Sequence, residues 1–241
     1  MHSGVNQADF ARDGFVVARA LFDAEEVRLL AEITRRLLAS ADPHALDRHD
    51  AAGNVTRLSL RNALDDADVF SATVRCQRVA ATVGALLEAE VYHYHHKVMI
   101  KDARTGGAWE WHQDYGYWYE NGCLQVVPGS QRLGRLEHAL AGDQVGARPE
   151  RVAEVLRRLP VRHCELAPGD ALFFHANLLH RSDANGSEEA RLSLIDCFNA
   201  AHNDPYKVHH HPGYSPLELW DDDAVARVGR AQLAALQEAE A

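Results

Sequence analysis

The sequence has no run of about 18 apolar residues, so nothing in it reads as a membrane-spanning helix. Its start, MHSGVNQADF, lacks the basic-then-apolar pattern of an export signal. Basic residues are the minority: 25 Lys and Arg stand against 35 Asp and Glu, a net charge of −10. That balance excludes the general basic field of a nucleic-acid or anionic-membrane binder, though not a local basic pocket. Cysteine is scarce, with Cys76, Cys123, Cys164 and Cys197 far apart and no CxxC. Such spacing fits reduced, mostly buried thiols in a soluble cytoplasmic protein. Internal repeats, linkers and low-complexity blocks are also missing, so residues 1–241 read as a single domain. Histidine is abundant instead: 15 in all, clustered at 93–96, 175–180 and 209–211.

The periodicity changes along the chain. GFVVARALF (14–22) reads as a short strand. Asp23 then caps a helix, with Glu26 as its capping-box partner, and Val27, Leu30, Thr34, Leu37 and Leu38 share one face. Residues 40–60 are polar and read as a loop, and 67–88 as a second helix. VYHYHHKVMIK (91–101) alternates. Strict alternation puts Tyr92, Tyr94, His96, Val98 and Ile100 on one face and His93, His95, Lys97 and Met99 on the other. Further strands are expected at 109–113, 123–128, 161–166, 171–175 and 192–198, with a short helix near 149–158 and a helical tail from 221. Helices first and many short strands later imply a sheet sandwich or barrel with helices packed outside it.

His112 and Asp114 are two apart, so on a regular strand an imidazole and a carboxylate point to one face and can meet one ion. A third ligand would come from His175 or His180, after the apolar strand ALFF (171–174). Two histidines and a carboxylate on one face of an octahedron leave three positions open, the arrangement of oxygen-activating non-haem Fe(II). Arg191 opens a strand 11 residues after His180, and Ser182 lies two after it. A guanidinium assisted by a hydroxyl is a natural bidentate clamp for a carboxylate co-substrate.

Six segments in order then carry a resemblance: FARDGFVVARALFDAEEV, HHKVMIKD, WHQDYGYWY, NGCLQVVPGSQRLGRLEH, PGDALFFHANLLHRSDANGS and RLSLIDCFN. Together they resemble the phytanoyl-CoA dioxygenase family of Fe(II)/2-oxoglutarate oxygenases over residues 8–216. The resemblance implies a mainly β fold with flanking α: a double-stranded β-helix (jelly roll, cupin-like) core with the N-terminal helices outside. It implies Fe(II) on His112, Asp114 and His180, 2-oxoglutarate on Arg191 with Ser182, and O2 as the oxidant. His175 is then a strand-end or rim residue. Gln113, between the ligands, and Lys97 and Met99, on a strand the family places beside the co-substrate, join the cofactor-binding candidates. Tyr115, Tyr117 and Trp118 are substrate-pocket candidates, and His209, His210 and His211 read as loop or rim. The implied reaction is hydroxylation of a small organic molecule with release of succinate and CO2. The acidic composition disfavours an acyl-CoA, whose phosphates want a basic patch.

One departure stands out. In relatives a further strand and turn follow the HxD aromatic stretch, whereas here YGYWYEN runs straight into GCLQVVPGS. Only 65 residues separate Asp114 from His180. The expectation is a core one strand short, which exposes neighbouring edges. The alternative to an active enzyme is therefore a catalytically impaired jelly-roll binding protein that kept the ligands. A zinc hydrolase on a similar barrel is a third reading, opposed by Arg191 and Ser182.

Overall fold

The structure, a computed structural model, describes residues 5–40, 42–114, 124–141, 144–204 and 213–240. Helix α1 (Gln7–Asp13) starts at Asn6, whose side chain accepts from the N–H groups of Ala8 and Asp9, and ends at Gly14 in the left-handed region. Strand β1 (Phe15–Ala18) leads to α2 (Ala24–Ala39), where Asp23 and Glu26 form the expected capping box.

The polar stretch 40–60 is not a loop. It contains β2 (Ala45–His49) and β3 (Val55–Arg61), paired antiparallel from Ala45↔Ser59 to His49↔Val55. Most of the hairpin's residues are polar, Asp47, Arg48, His49, Thr56, Arg57, Ser59 and Arg61 among them, which hid it from a reading of hydrophobicity. The predicted 67–88 helix is two helices, α3 (Val69–Arg75) and α4 (Gln77–Leu87). Cys76 between them is extended, at ψ 140. Its neighbours bond a distant segment instead: Gln77 N–H donates to Trp220 O, and Trp220 N–H to Arg75 O.

Strand β4 (Val91–Lys101) is the spine of the molecule. Next come β5 (Trp109–His112), β6 (Leu124–Val126), β7 (His138–Ala141), β8 (Gln144–Ala147), α5 (Pro149–Leu156) and β9 (Arg162–Cys164). The last elements are β10 (Ala171–Phe174), β11 (His180–Ser182), β12 (Arg191–Ala200) and α6 (Ala224–Ala239). Among the described residues, two antiparallel sheets of four strands run β12-β4-β3-β2 and β5-β11-β6-β9, with two further pairs, β1-β10 and β7-β8. None of the described helices is long and apolar enough to cross a membrane.

Helices α2, α3 and α6 cover one face of the first sheet. Leu29 and Ile33 of α2, Val69 and Phe70 of α3 and Val225 and Val228 of α6 pack with Val98, Leu194 and Phe198 of the sheet. The other face meets the second sheet: Trp109 of β5 is buried against Leu58 and Met99, beside Leu60, Tyr94, Ile195 and Cys197. This two-layer arrangement with helices outside is the expected jelly-roll architecture.

Strand β4 departs from strict alternation. Cys197 pairs with His95 but Phe198 pairs with His93, so Tyr94 is an extra residue in a β-bulge. The bulge reverses the faces beyond it. Tyr94 joins Met99 in the interior, and His93 moves to the helix-covered face, where its Nε2 lies 3.0 Å from His96 Nδ1. The sequence had placed these pairs on opposite faces.

Candidate metal centre and co-substrate pocket

Strand pairing builds the site. His112 ends β5 and His180 opens β11, and the two are direct antiparallel partners. Their rings therefore stand side by side, with centroids 4.1 Å apart. Asp114 follows two residues later, held by its N–H donating to Ala176 O at 2.9 Å. His180 Nε2 lies 3.8 Å from Asp114 Oδ1, and the three donor atoms all fall within 4.8 Å of one another. Both histidines are buried, and Asp114 is half-buried.

The backbone fixes both tautomers. His112 Nδ1 is 2.7 Å from Glu110 O, and His180 Nδ1 is 2.8 Å from Leu178 O. A carbonyl oxygen only accepts, so each Nδ1 carries the proton and each Nε2 lone pair is left for an ion. Burial, then the neighbouring His180, holds the His112 imidazole well below its ordinary range, so it stays neutral as a ligand must. Two neutral nitrogens and one carboxylate oxygen are a donor set suited to a divalent transition metal.

Register also defines the inner face of the first sheet. Lys101 is opposite Arg191, Met99 opposite Ser193, Lys97 opposite Ile195 and His95 opposite Cys197. Ser182 is two residues from His180 on β11, and its Oγ is buried with no hydrogen-bond partner. A buried hydroxyl left without a bond costs about 1–3 kcal/mol, a cost that a bound ligand would remove. Lys97 is 2 % exposed and its charge further disfavours protonation of His112, which places it near the triad. Met99 packs into the apolar cluster with Leu58 and Trp109.

Gln113 faces away from the ligands. Its Nε2 donates to Gly134 O (2.9 Å) and Asn177 O (2.6 Å), and its Oε1 accepts from Leu136 N (2.7 Å). The carboxamide is spent on backbone groups rather than turned toward a co-substrate. His175 is not part of the triad: its Nδ1 accepts from Asn177 N–H at 2.9 Å, inside the turn that delivers His180. Tyr115, Tyr117, Trp118, Cys123 and His209–His211 lie outside the described residues, as does the place of the expected missing strand.

Sequence reasoning missed two residues. Lys101 is fully buried and its Nζ donates to Asp183 O at 3.0 Å. It sits four residues beyond Lys97 on the same face, a signal that was available. His138 bonds the backbone of Gln113 from 25 residues away, which no local pattern reveals.

Comparison with known proteins agrees with this geometry. The phytanoyl-CoA dioxygenase (PhyH) family model matches residues 10–120 and 119–193. An L-proline trans-4-hydroxylase of Streptomyces griseoviridis is 28% identical over 233 residues, covering 81% of this chain and 86% of its own length. An ectoine dioxygenase of Sphingopyxis alaskensis is 28% identical over 235 residues, with 81% and 75% covered. The crystal structure of EctD from S. alaskensis with 2-oxoglutarate and 5-hydroxyectoine superposes with a TM-score of 0.70 at 21% identity, covering 89% of this chain and 86% of that one.

Proposed function

The chain belongs to the phytanoyl-CoA dioxygenase family, and from that premise we propose that it is a 2-oxoglutarate-dependent oxygenase hydroxylating a small, carboxylate-bearing metabolite. His112, Asp114 and His180 hold Fe(II), and Arg191 with Ser182 holds the far carboxylate of 2-oxoglutarate. The observation that carries this reading is the cross-strand His112/His180 pair, each with Nε2 turned to Asp114 by a backbone acceptor.

When bound, ferrous iron and the 2-oxo acid supply the oxidising chemistry, by which one atom of O2 enters a substrate C–H bond and the other leaves in succinate, with CO2 released. The chain's own residues bind and orient. Each Nδ1 keeps its proton and donates it to its carbonyl, which keeps both Nε2 atoms free to ligate. Asp114 brings the one anionic ligand and occupies a coordination position that would otherwise be open to an external anion. Arg191 offers the planar fork that matches a carboxylate, and Ser182 Oγ supplies a further hydrogen bond.

The substrate class rests on two supports. Proline and ectoine, named for the relatives, are both small and carry a carboxylate. The buried Lys97, close enough to the triad for its charge to act on His112, adds positive charge to the interior that a substrate carboxylate would enter. The whole chain acts as one domain, in the cytoplasm. A second reading, a binding protein without turnover, draws on the expected loss of a segment after Asp114, with which a family match in two parts, residues 10–120 and 119–193, is consistent.

Incubating the Fe(II)-loaded protein with 2-oxoglutarate and a panel of amino acids and their cyclic derivatives tests the proposal. Substrate-stimulated O2 uptake with matching succinate supports it. Binding of 2-oxoglutarate with no succinate across the panel favours the second reading, and no binding at all overturns both.

A further inference from the structure

We propose that His138 and Gln113 are positioning residues for the metal site, a pair of bolts behind the ligands that fixes where Asp114 stands; the proposal rests on the triad being the metal site. The hydrogen bonds define the device. Gln113 N–H donates to His138 Nε2 at 3.0 Å, while His138 Nδ1 is 2.8 Å from Leu136 O. Because the carbonyl accepts, the proton sits on Nδ1 and the Nε2 lone pair faces Gln113.

The Gln113 side chain then runs from the same residue to both flanking segments. It takes one bond from Leu136 N and gives one each to Gly134 O and Asn177 O. Asn177 lies three residues before His180, and the Asp114 N–H is held by the adjacent Ala176 O. The three residues 112–114 are thereby pinned to two separate stretches, 134–138 and 176–177. One of these stretches runs directly into the third ligand. Gln113 is 0 % exposed, so each lost bond leaves a buried polar group unpaired. Since β5 ends at His112, these bolts rather than a strand ladder hold Asp114 opposite His180.

Partners behind metal ligands commonly set affinity by about 10–100-fold, and that is the effect expected here. The test is a titration of the full-length protein with Co(II) alone, read by its d–d absorption, which reports both affinity and ligand geometry. Wild type should show a saturable band that His180→Ala abolishes. His138→Ala should bind about 10–100-fold more weakly with an altered band. His138→Gln, whose side-chain oxygen can replace the Nε2 acceptor, should recover most of the affinity. If His138→Ala does not fold, Gln113→Met, which keeps the volume and drops the three side-chain bonds, carries the same prediction. Wild-type affinity and an unchanged band in folded His138→Ala or Gln113→Met overturn the proposal alone. Identical titrations of wild type and His180→Ala overturn the metal reading, and the proposal with it.

Discussion

Replacing His93 by glutamine and Asp196 by asparagine should tilt the pH dependence of stability in opposite directions. Both residues belong to a buried polar cluster between the first sheet and α3. His93 faces His96 of its own strand, and His96 Nε2 lies 3.3 Å from Asp68 Oδ2, the residue that caps α3. Arg75 of α3 also faces His93, and Asp196 of β12 faces His96, Thr73 and Asp68. Burial, then the charges of His96 and Arg75, pushes the His93 imidazole down to about 3 from its ordinary 6.5. The unfolded chain therefore takes up this proton first as the pH falls below 6.5, and stability is lost from there toward 3. At about pH 5 the loss is roughly 2 kcal/mol, at about 1.4 kcal/mol per unit. Burial pushes the Asp196 carboxyl the other way, from 3.8 up to about 6. Here the folded chain takes up the proton first, so stability is gained as the pH falls through 6, by roughly 1.4 kcal/mol at about pH 5. In the wild type the two nearly offset. His93→Gln, which keeps an acceptor for His96, should gain about 1 kcal/mol on going from about pH 7 to about pH 5, and Asp196→Asn should lose about 2. Urea unfolding of both variants at both pH values measures the change, and comparing variants cancels every other titration. Equal changes in the two variants would refute the reasoning.

Three further outcomes are expected. Arg191→Lys should weaken 2-oxoglutarate binding about 10–100-fold, by loss of the bidentate fork, and Ser182→Ala by less; isothermal titration of the metal-loaded protein checks both. Gly169 has φ +91, and a Cβ there would run into the Phe22 carbonyl oxygen, so Gly169→Ala should cost about 1–3 kcal/mol in urea unfolding without changing metal affinity. Chelation should abolish O2 uptake, Fe(II) should restore it, and Zn(II), which is redox-inert, should bind the same site without restoring it; hydrolytic turnover with Zn(II) and no need for 2-oxoglutarate would favour the hydrolase reading.

The clustering of His112, Asp114 and His180 was legible because its determinants are short. HxD spacing and a histidine after an apolar strand both survive in one dimension. The capping box at Asp23 and Glu26 was legible for the same reason. What the sequence concealed depends on contacts between distant segments. Alternation along 91–101 cannot show that Tyr94 is bulged, because the extra residue is defined only by Cys197 and Phe198 across the ladder. The break at Cys76 is set by Trp220, and the β2-β3 hairpin by β4 beside it. Gln113 is expected among the cofactor-binding residues from its place between His112 and Asp114, and its carboxamide's bonds to 134, 136 and 177 are contacts that no local pattern reveals.

The central claim is that His112, Asp114 and His180 close on one ferrous ion with 2-oxoglutarate beside it. Anaerobic addition of 2-oxoglutarate to the Fe(II)-loaded protein tests this directly, through the visible charge-transfer band of a chelating 2-oxo acid on ferrous iron. The account predicts a band that saturates in the wild type, vanishes in His180→Ala and needs far more 2-oxoglutarate in Arg191→Lys. A folded wild-type protein that shows no band, or a band that His180→Ala leaves intact, would contradict it.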